Sequence, residues 1–219
     1  MSLSELWSLY GQNYIDALLA TWGMTLESFA IAMVLAVAVT VIRVSPLKPL
    51  RVFGDLYVQV FRNIPGIALL IIVVYALPPL KVVLPYRTCV IVATVLLGSA
   101  FGSENFMSGI NTVGVGQVEA ARSLGMSFSR ILAKILIPQA LRSSVLPMTN
   151  LFIAVMLTTA LGSQVPLQPQ ELTGVVSYIN TRSLGGVAAF FISALGYLGT
   201  AFVVSHIGNY IDKKVRILR

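Results

Sequence analysis

The sequence is short of charge. Asp, Glu, Lys and Arg make up 11% of its 219 residues, less than half of the roughly 25% found in a soluble globular domain. With 57% hydrophobic residues and a mean hydropathy of +0.87, it has too little polar surface to shield its apolar groups from water. It therefore reads as an integral membrane protein. The one cysteine, Cys89, sits in an apolar run, which excludes an intrachain disulfide and reads as a buried, inert thiol. One histidine, His206, and scattered carboxylates supply neither the metal cluster nor the nucleophile constellation that a membrane enzyme needs. No GxxxxGK[ST] stretch is present, so P-loop hydrolysis of ATP by this chain is excluded. No basic stretch precedes an apolar core at the N-terminus, and a cleaved signal peptide is not expected there. Repeats, low-complexity tracts and a second domain are also missing, so residues 1–219 are read as one transmembrane domain.

What is present is a series of apolar runs. Residues 1–20 place Leu3, Leu6, Trp7, Tyr10, Tyr14 and Leu18 at helical spacing, which predicts an interfacial helix lying on or entering one leaflet. A first span is expected from Thr21 to Ile42, long enough to cross a hydrocarbon core. Its one charge, Glu27, is read as an interfacial carboxylate in preference to a pathway lining. A second span should begin in the half-polar stretch after Val52 and bend at Arg62–Gly66, where Pro65 lacks a donor. A third, Thr88 to Phe106, carries Gly98, Ser99, Gly102 and Ser103 at the four-residue spacing that lets helix backbones approach in lipid. A fourth follows at Ser143 to Ser163, then a polar loop with Pro166, Pro169, Glu171 and Asn180. A fifth, Gly185 to Gly208, leads into a basic tail.

Charge asymmetry orients these five spans. Arg43, Lys48, Arg51 and Arg62 lie after the first span, and Arg122, Arg130, Lys134 and Arg142 lie around the polar segment between the third and fourth. Lys213, Lys214, Arg216 and Arg219 form the tail. Together these are twelve of the 15 Lys and Arg residues. Cytoplasmic loops collect such residues, so the C-terminus is expected in the cytoplasm and the N-terminus outside. The net charge of +7 is thereby read as loop charge, without a nucleic-acid partner.

The longest polar interruption, Glu119 to Pro138, reads as a short helix over 117–124, a corner at Gly125 and a second helix through Ile137. Glu119 is expected near the start of the first helix, favoured by its dipole. Ser127 or Ser129 is a candidate cap for the second, and Pro138 should end or kink it. Taken alone, this is an amphipathic knob on the membrane surface.

The wording of the knob is more specific. Glu119-Ala120-Ala121, Gly125 and Ile135-x-Ile137-Pro138 resemble the EAA signature of the permease subunits of ABC importers, with Ile137 where leucine is usual. Phe61–Pro65, Glu104 with Ser108–Val113, Pro138–Arg142 and Gln170–Thr173 resemble the polar-amino-acid branch of that family, in the same order. The likeness spans about residues 20–210, and its wording is most similar to glutamate-type permeases. It implies an all-α, type I importer permease fold with a coupling segment over 109–140. Glu119, Ala120, Ala121, Arg122, Leu124 and Gly125 would contact a cytoplasmic ATP-binding subunit, with the two alanines allowing close approach. The partners it implies are a dimer of that ATPase, a second permease (a heterodimer being favoured), an extracytoplasmic solute-binding protein and membrane lipid. ATP and Mg would be used by the ATPase, with no cofactor on this chain.

Intramembrane polar groups are costly and often functional, which nominates Asn63, Glu104, Asn150, Thr158 and Thr159 for the solute pathway. Hydrogen bonding between helices is the competing role for Asn150 and the threonines, and an ion pair with a nearby arginine for Glu104. Two positions depart from the family's pattern. Leu157-Thr-Thr-Ala-Leu161 stands where Lys-Asp-Thr-Ser-Leu is common, and Met107 stands where an arginine is common. A secondary transporter or channel for a small polar solute is the alternative reading.

Overall fold

The computed structural model describes residues 2–182 and 185–215, and these are organised around one long helix. Helix α1 runs unbroken from Leu3 to Arg43, about 60 Å at 1.5 Å per residue. The segment expected to lie separately at the interface is continuous with the first span. No proline interrupts it, and its first turns have a partner. Leu6, Tyr14 and Ala17 are buried against Leu172, Val175 and Ile179 of α9 (Leu172–Arg182), and the Tyr14 hydroxyl donates to the Ala189 carbonyl at 2.9 Å. One face of these turns is thus buried in protein, while Leu3, Trp7 and Leu9 remain exposed on the other.

Helix α4 (Tyr86–Asn111) packs along α1. The small residues read from sequence sit at this contact: Ser99, Gly102 and Ser103 are buried. A Cβ built on Gly102 would lie 2.8 Å from the Ala36 Cβ, so the two backbones approach as closely as glycine permits. Between them in sequence, α2 (Lys48–Asn63) and the segment from Gly66 to Leu80 meet at 103°. The bend falls at Arg62–Gly66, where the sequence placed it, and is sharp enough to break the second span into two helices. Ile64, preceding Pro65, is extended (φ −82°, ψ 132°), because a residue before proline is pushed out of the helical region. Helix α3 (Gly66–Ile71) then runs through a π turn at Ile72–Ala76 to a turn at Pro78–Leu80.

Helix α5 (Val115–Ser123) leads to a helical stretch that starts with α6 (Phe128–Ile131) and passes through a π turn at Leu132–Leu136 into α7 (Ile137–Ser143). Pro138 does not end this stretch. The wider turn, closed by the Ile137 N–H on the Leu132 carbonyl, absorbs the donor that proline lacks. Ser127 stands at the first helical boundary without a side-chain cap. Helix α8 (Val145–Thr158) continues as 3₁₀ to Gln164, and α10 covers Gly186–Val215. The polar loop after the fourth span contains α9, which was not expected. Among the described residues, four helices are long and apolar enough to cross a membrane, and there are five spans if the bent pair is counted as one. Arg216 and Arg219 of the basic tail lie outside the described residues.

Candidate functional site

The knob is built on one corner. Helix α5 stops because Gly125 adopts φ +73°, a left-handed conformation costly for residues with a Cβ. Two bonds close it: the Gly125 N–H to the Arg122 carbonyl at 2.9 Å and the Met126 N–H to the Ala121 carbonyl at 3.1 Å. This is the paired pattern of a Schellman end. Nothing lies within 4 Å of a Cβ built on Gly125, so the glycine serves the backbone turn and not packing.

The corner sorts the expected docking residues. Glu119, Ala120, Arg122 and Leu124 are exposed, with Leu124 82% exposed. Ala121 is turned inward and is 3% exposed, as is Ile131 of α6; it belongs to the base of the knob and not to its outer face. Helix α5 begins at Val115, so Glu119 lies in its second turn, past the first-turn position that its dipole would favour most. A hydrogen bond from the Gln139 Nε2 to the Gln117 Oε1, 2.6 Å, ties α5 to α7.

From there the contact passes to the spans. A Cβ on Gly109 would lie 2.5 Å from the Ser144 Oγ and 2.8 Å from the Ala140 carbonyl, so α4 and α7 touch backbone to backbone. The Ser144 hydroxyl donates to the Asn105 carbonyl (3.3 Å), and the Asn105 amide donates to the Pro147 carbonyl (3.2 Å). The knob is thus joined through α7 to the end of α4, one residue from Glu104.

Glu104 is part of a cluster of four charges. Arg43, whose side chain is 10% exposed, bonds Asp55 through Nε at 2.8 Å and Glu104 through Nη1 at 3.1 Å, and donates to the Ser103 hydroxyl at 3.2 Å. Arg62 approaches the same Glu104 oxygen, Oε2, at 3.6 Å and lies over the Phe101 ring, 5.3 Å from its centroid. Arg62 also lines an open cleft of ≈ 600 Å³ with Gly66, Phe101, Thr158 and Gln164.

The nominated pathway residues are divided by this geometry. Glu104 is in the cluster and Thr158 lines the cleft, its hydroxyl donating to the Ala154 carbonyl. Asn63 is exposed and donates to the Gln59 carbonyl at 2.6 Å, and Asn150 is exposed on α8. Thr159 is fully buried, its hydroxyl spent on the Met156 carbonyl, so it does not face the cleft.

Glu171 stands in the stretch expected to be a polar loop. It is fully buried and starts α9, accepting from the Thr173 and Gly174 N–H groups at 2.6 Å each and from the Tyr197 hydroxyl at 3.0 Å. Burial pushes its carboxyl above the ordinary value, and those donors oppose the rise. The Leu172 N–H bonds the Thr21 hydroxyl at 3.1 Å, which fastens this turn to α1. An acid directly before an apolar helical run is an N-terminus signature, and it was readable at Gln170–Thr173.

A knob with exposed apolar tips, fixed to a bundle of spans, is a part shaped to fit something else. Comparison with known proteins identifies the kind of part. Residues 28–217 match the family model "Binding-protein-dependent transport system inner membrane component". The chain belongs to this family. It is 32% identical over 208 residues to the glutamate transport system permease protein GluC of Corynebacterium efficiens, covering 90% of this chain and 91% of that one. It is 31% identical over 215 residues to the L-cystine transport system permease protein TcyB of Bacillus subtilis (95% and 91%). The probable glutamine ABC transporter permease protein GlnM of B. subtilis is likewise 31% identical (97% and 96%). The fold matches a crystal structure of an amino acid ABC transporter with histidines at a TM-score of 0.89 and 23% identity, covering 98% and 99% of the two chains. As a family member the chain is a multi-pass membrane permease of the amino-acid ABC type, a transport component and not an enzyme.

Proposed function

We propose that this permease forms one half of the membrane pathway of an ATP-driven importer for a polar amino acid, with glutamate, glutamine and cystine as the first solutes to try. The observation that carries the reading is the continuous chain of contacts from the exposed knob, through the Gly109–Ala140 approach, to Glu104 and its arginines. A cytoplasmic ATP-binding subunit pressing on Glu119, Ala120, Arg122 and Leu124 would move α7 and the end of α4 together. Ala121 and Gly125 would keep the pressed surface in shape. In this reading ATP and Mg are used by the dimer of that subunit, no cofactor is held by this chain, a second permease (different in sequence) completes the pathway, and an extracytoplasmic binding protein delivers the solute. The distribution of Lys and Arg supports a cytoplasmic C-terminus and an N-terminus outside. Glu104 and Thr158, with Asn63 and Asn150 at its margins, line the route. Thr159 supports the backbone of α8 from behind.

Purification from the native membrane tests this. An ATP-binding protein should co-elute, and the complex in proteoliposomes should take up labelled L-glutamate, L-glutamine or L-cystine only with ATP and the binding protein. Uptake by the chain alone, without nucleotide, would establish a secondary carrier instead.

A further inference from the structure

The two arginines on Glu104 are not equivalent. Arg43 is nearly enclosed and fully engaged, with Asp55, Glu104 and Ser103 all at 3.2 Å or less. Arg62 is 38% exposed, and its 3.6 Å approach to Glu104 is an ion pair beyond good hydrogen-bond length. The charge of Glu104 is already answered by Arg43, so turning Arg62 away leaves no bare buried carboxylate. What Arg62 turns toward is the cleft. There Phe101 supports one side of the guanidinium, and Thr158 and Gln164 offer neutral polar groups. The remaining wall, including Leu97, Leu157 and Leu161, is apolar.

A guanidinium held by an aromatic face and open to a cavity is suited to a carboxylate, which it grips with two parallel N–H bonds. Glu104 stands beside it as an acceptor for a cation. The four-charge cluster sums to zero, since Arg43 and Arg62 balance Asp55 and Glu104. It therefore provides no net positive field to draw an acidic side chain, but it offers one charge of each sign side by side. We propose that Arg62 binds the α-carboxylate of the transported amino acid and that Glu104 receives its α-ammonium. The internal pair is then exchanged for two pairs with a zwitterionic head group, while the side chain lies against the apolar wall near Thr158 and Gln164. This assignment rests on the cleft being the amino-acid pathway.

The test is equilibrium binding of radiolabelled L-glutamate, L-glutamine, L-cystine and L-arginine to the purified permease–ATPase complex without binding protein. The α-carboxamide of the best-bound amino acid serves as competitor. Loss of a charge-assisted bond should weaken binding about tenfold to hundredfold, both for the carboxamide on the wild type and for the acid on Arg62→Gln. Arg62→Lys, which keeps the charge without the fork, should fall between. The carboxamide arm uses the unmodified protein and so stands even if Arg62→Gln assembles poorly. A carboxamide that competes as well as the acid would overturn the assignment, as would Arg62→Gln binding at wild-type strength. If none of the four amino acids is bound, or carried by the complete transporter, this assignment falls together with the proposed function.

Discussion

The corner at Gly125 separates backbone shape from side-chain size. At φ +73°, alanine costs about 1–2 kcal/mol relative to a right-handed conformation, and asparagine less because it visits this region readily. A β-branched residue is worse again. Space does not contribute within the chain, since nothing lies within 4 Å of a Cβ there. The series Gly125, Asn, Ala, Val should therefore lose knob integrity in that order, and the alanine step should reduce the population of the closed corner by about five- to thirtyfold. The expected readout is ATP-driven uptake in proteoliposomes falling in the same order, with amounts in the membrane unchanged because α1, α4 and α10 are untouched. Hydrogen exchange at the Met126 amide, which closes the corner on Ala121, should accelerate in parallel. If asparagine and valine are equally damaging, the relevant quantity is room for a partner at the knob surface and the backbone argument is wrong. Gly125→Asp should remain in the membrane while hydrolysis by the ATPase is uncoupled from uptake.

Other perturbations probe the route inward. Gly109→Val forces a side chain against Ser144 and the Ala140 backbone. It should cost about 1–3 kcal/mol of packing, seen as a lower melting temperature and loss of ATP-coupled uptake, while substitution at the open Gly116 should leave the melting temperature near wild type. Arg43→Met removes the enclosed hub of Asp55 and Glu104 and should cost about 1.5–3 kcal/mol, measured by thermal unfolding in detergent; a change under 0.5 kcal/mol would show that Arg62 alone holds the cluster. Glu171 gives a pH dependence. Its folded value lies above the ordinary 4.5, so the unfolded carboxyl ionises first and stability falls as pH rises from 4.5 through the folded value. The slope of melting temperature against pH should flatten in Glu171→Gln, and an unchanged slope would assign it to other groups.

Much of the knob was readable in the residues because its determinants are local. Gly125 ends α5 through its own dihedral angles, and Ile131 and Leu132 are buried with Ile135 and Leu136 half-buried one turn on, which is helical spacing. Which alanine faces outward was not readable: in so short a helix, the burial of Ala121 depends on where the next helix lies. The bend at Pro65 followed from proline's restriction of its neighbour, but its 103° depends on how α2 rests on α1 and α4. The N-terminal residues carried the aromatic pattern of an interface, yet Tyr14 is satisfied by Ala189, 175 positions away.

Composition and the Lys/Arg pattern by themselves determined that this protein is helical and membrane-spanning, with a polar knob between its third and fourth spans. Those properties depend on solvent and on local backbone chemistry, both of which act residue by residue. Tertiary structure alone decided that Arg43 is enclosed while Arg62 faces a cleft, and that Glu171 is sealed beneath Tyr197. The charge of an arginine is fixed by its chemistry, but what that charge can do depends on which carboxylates and how much open space the fold brings within a few ångströms of it.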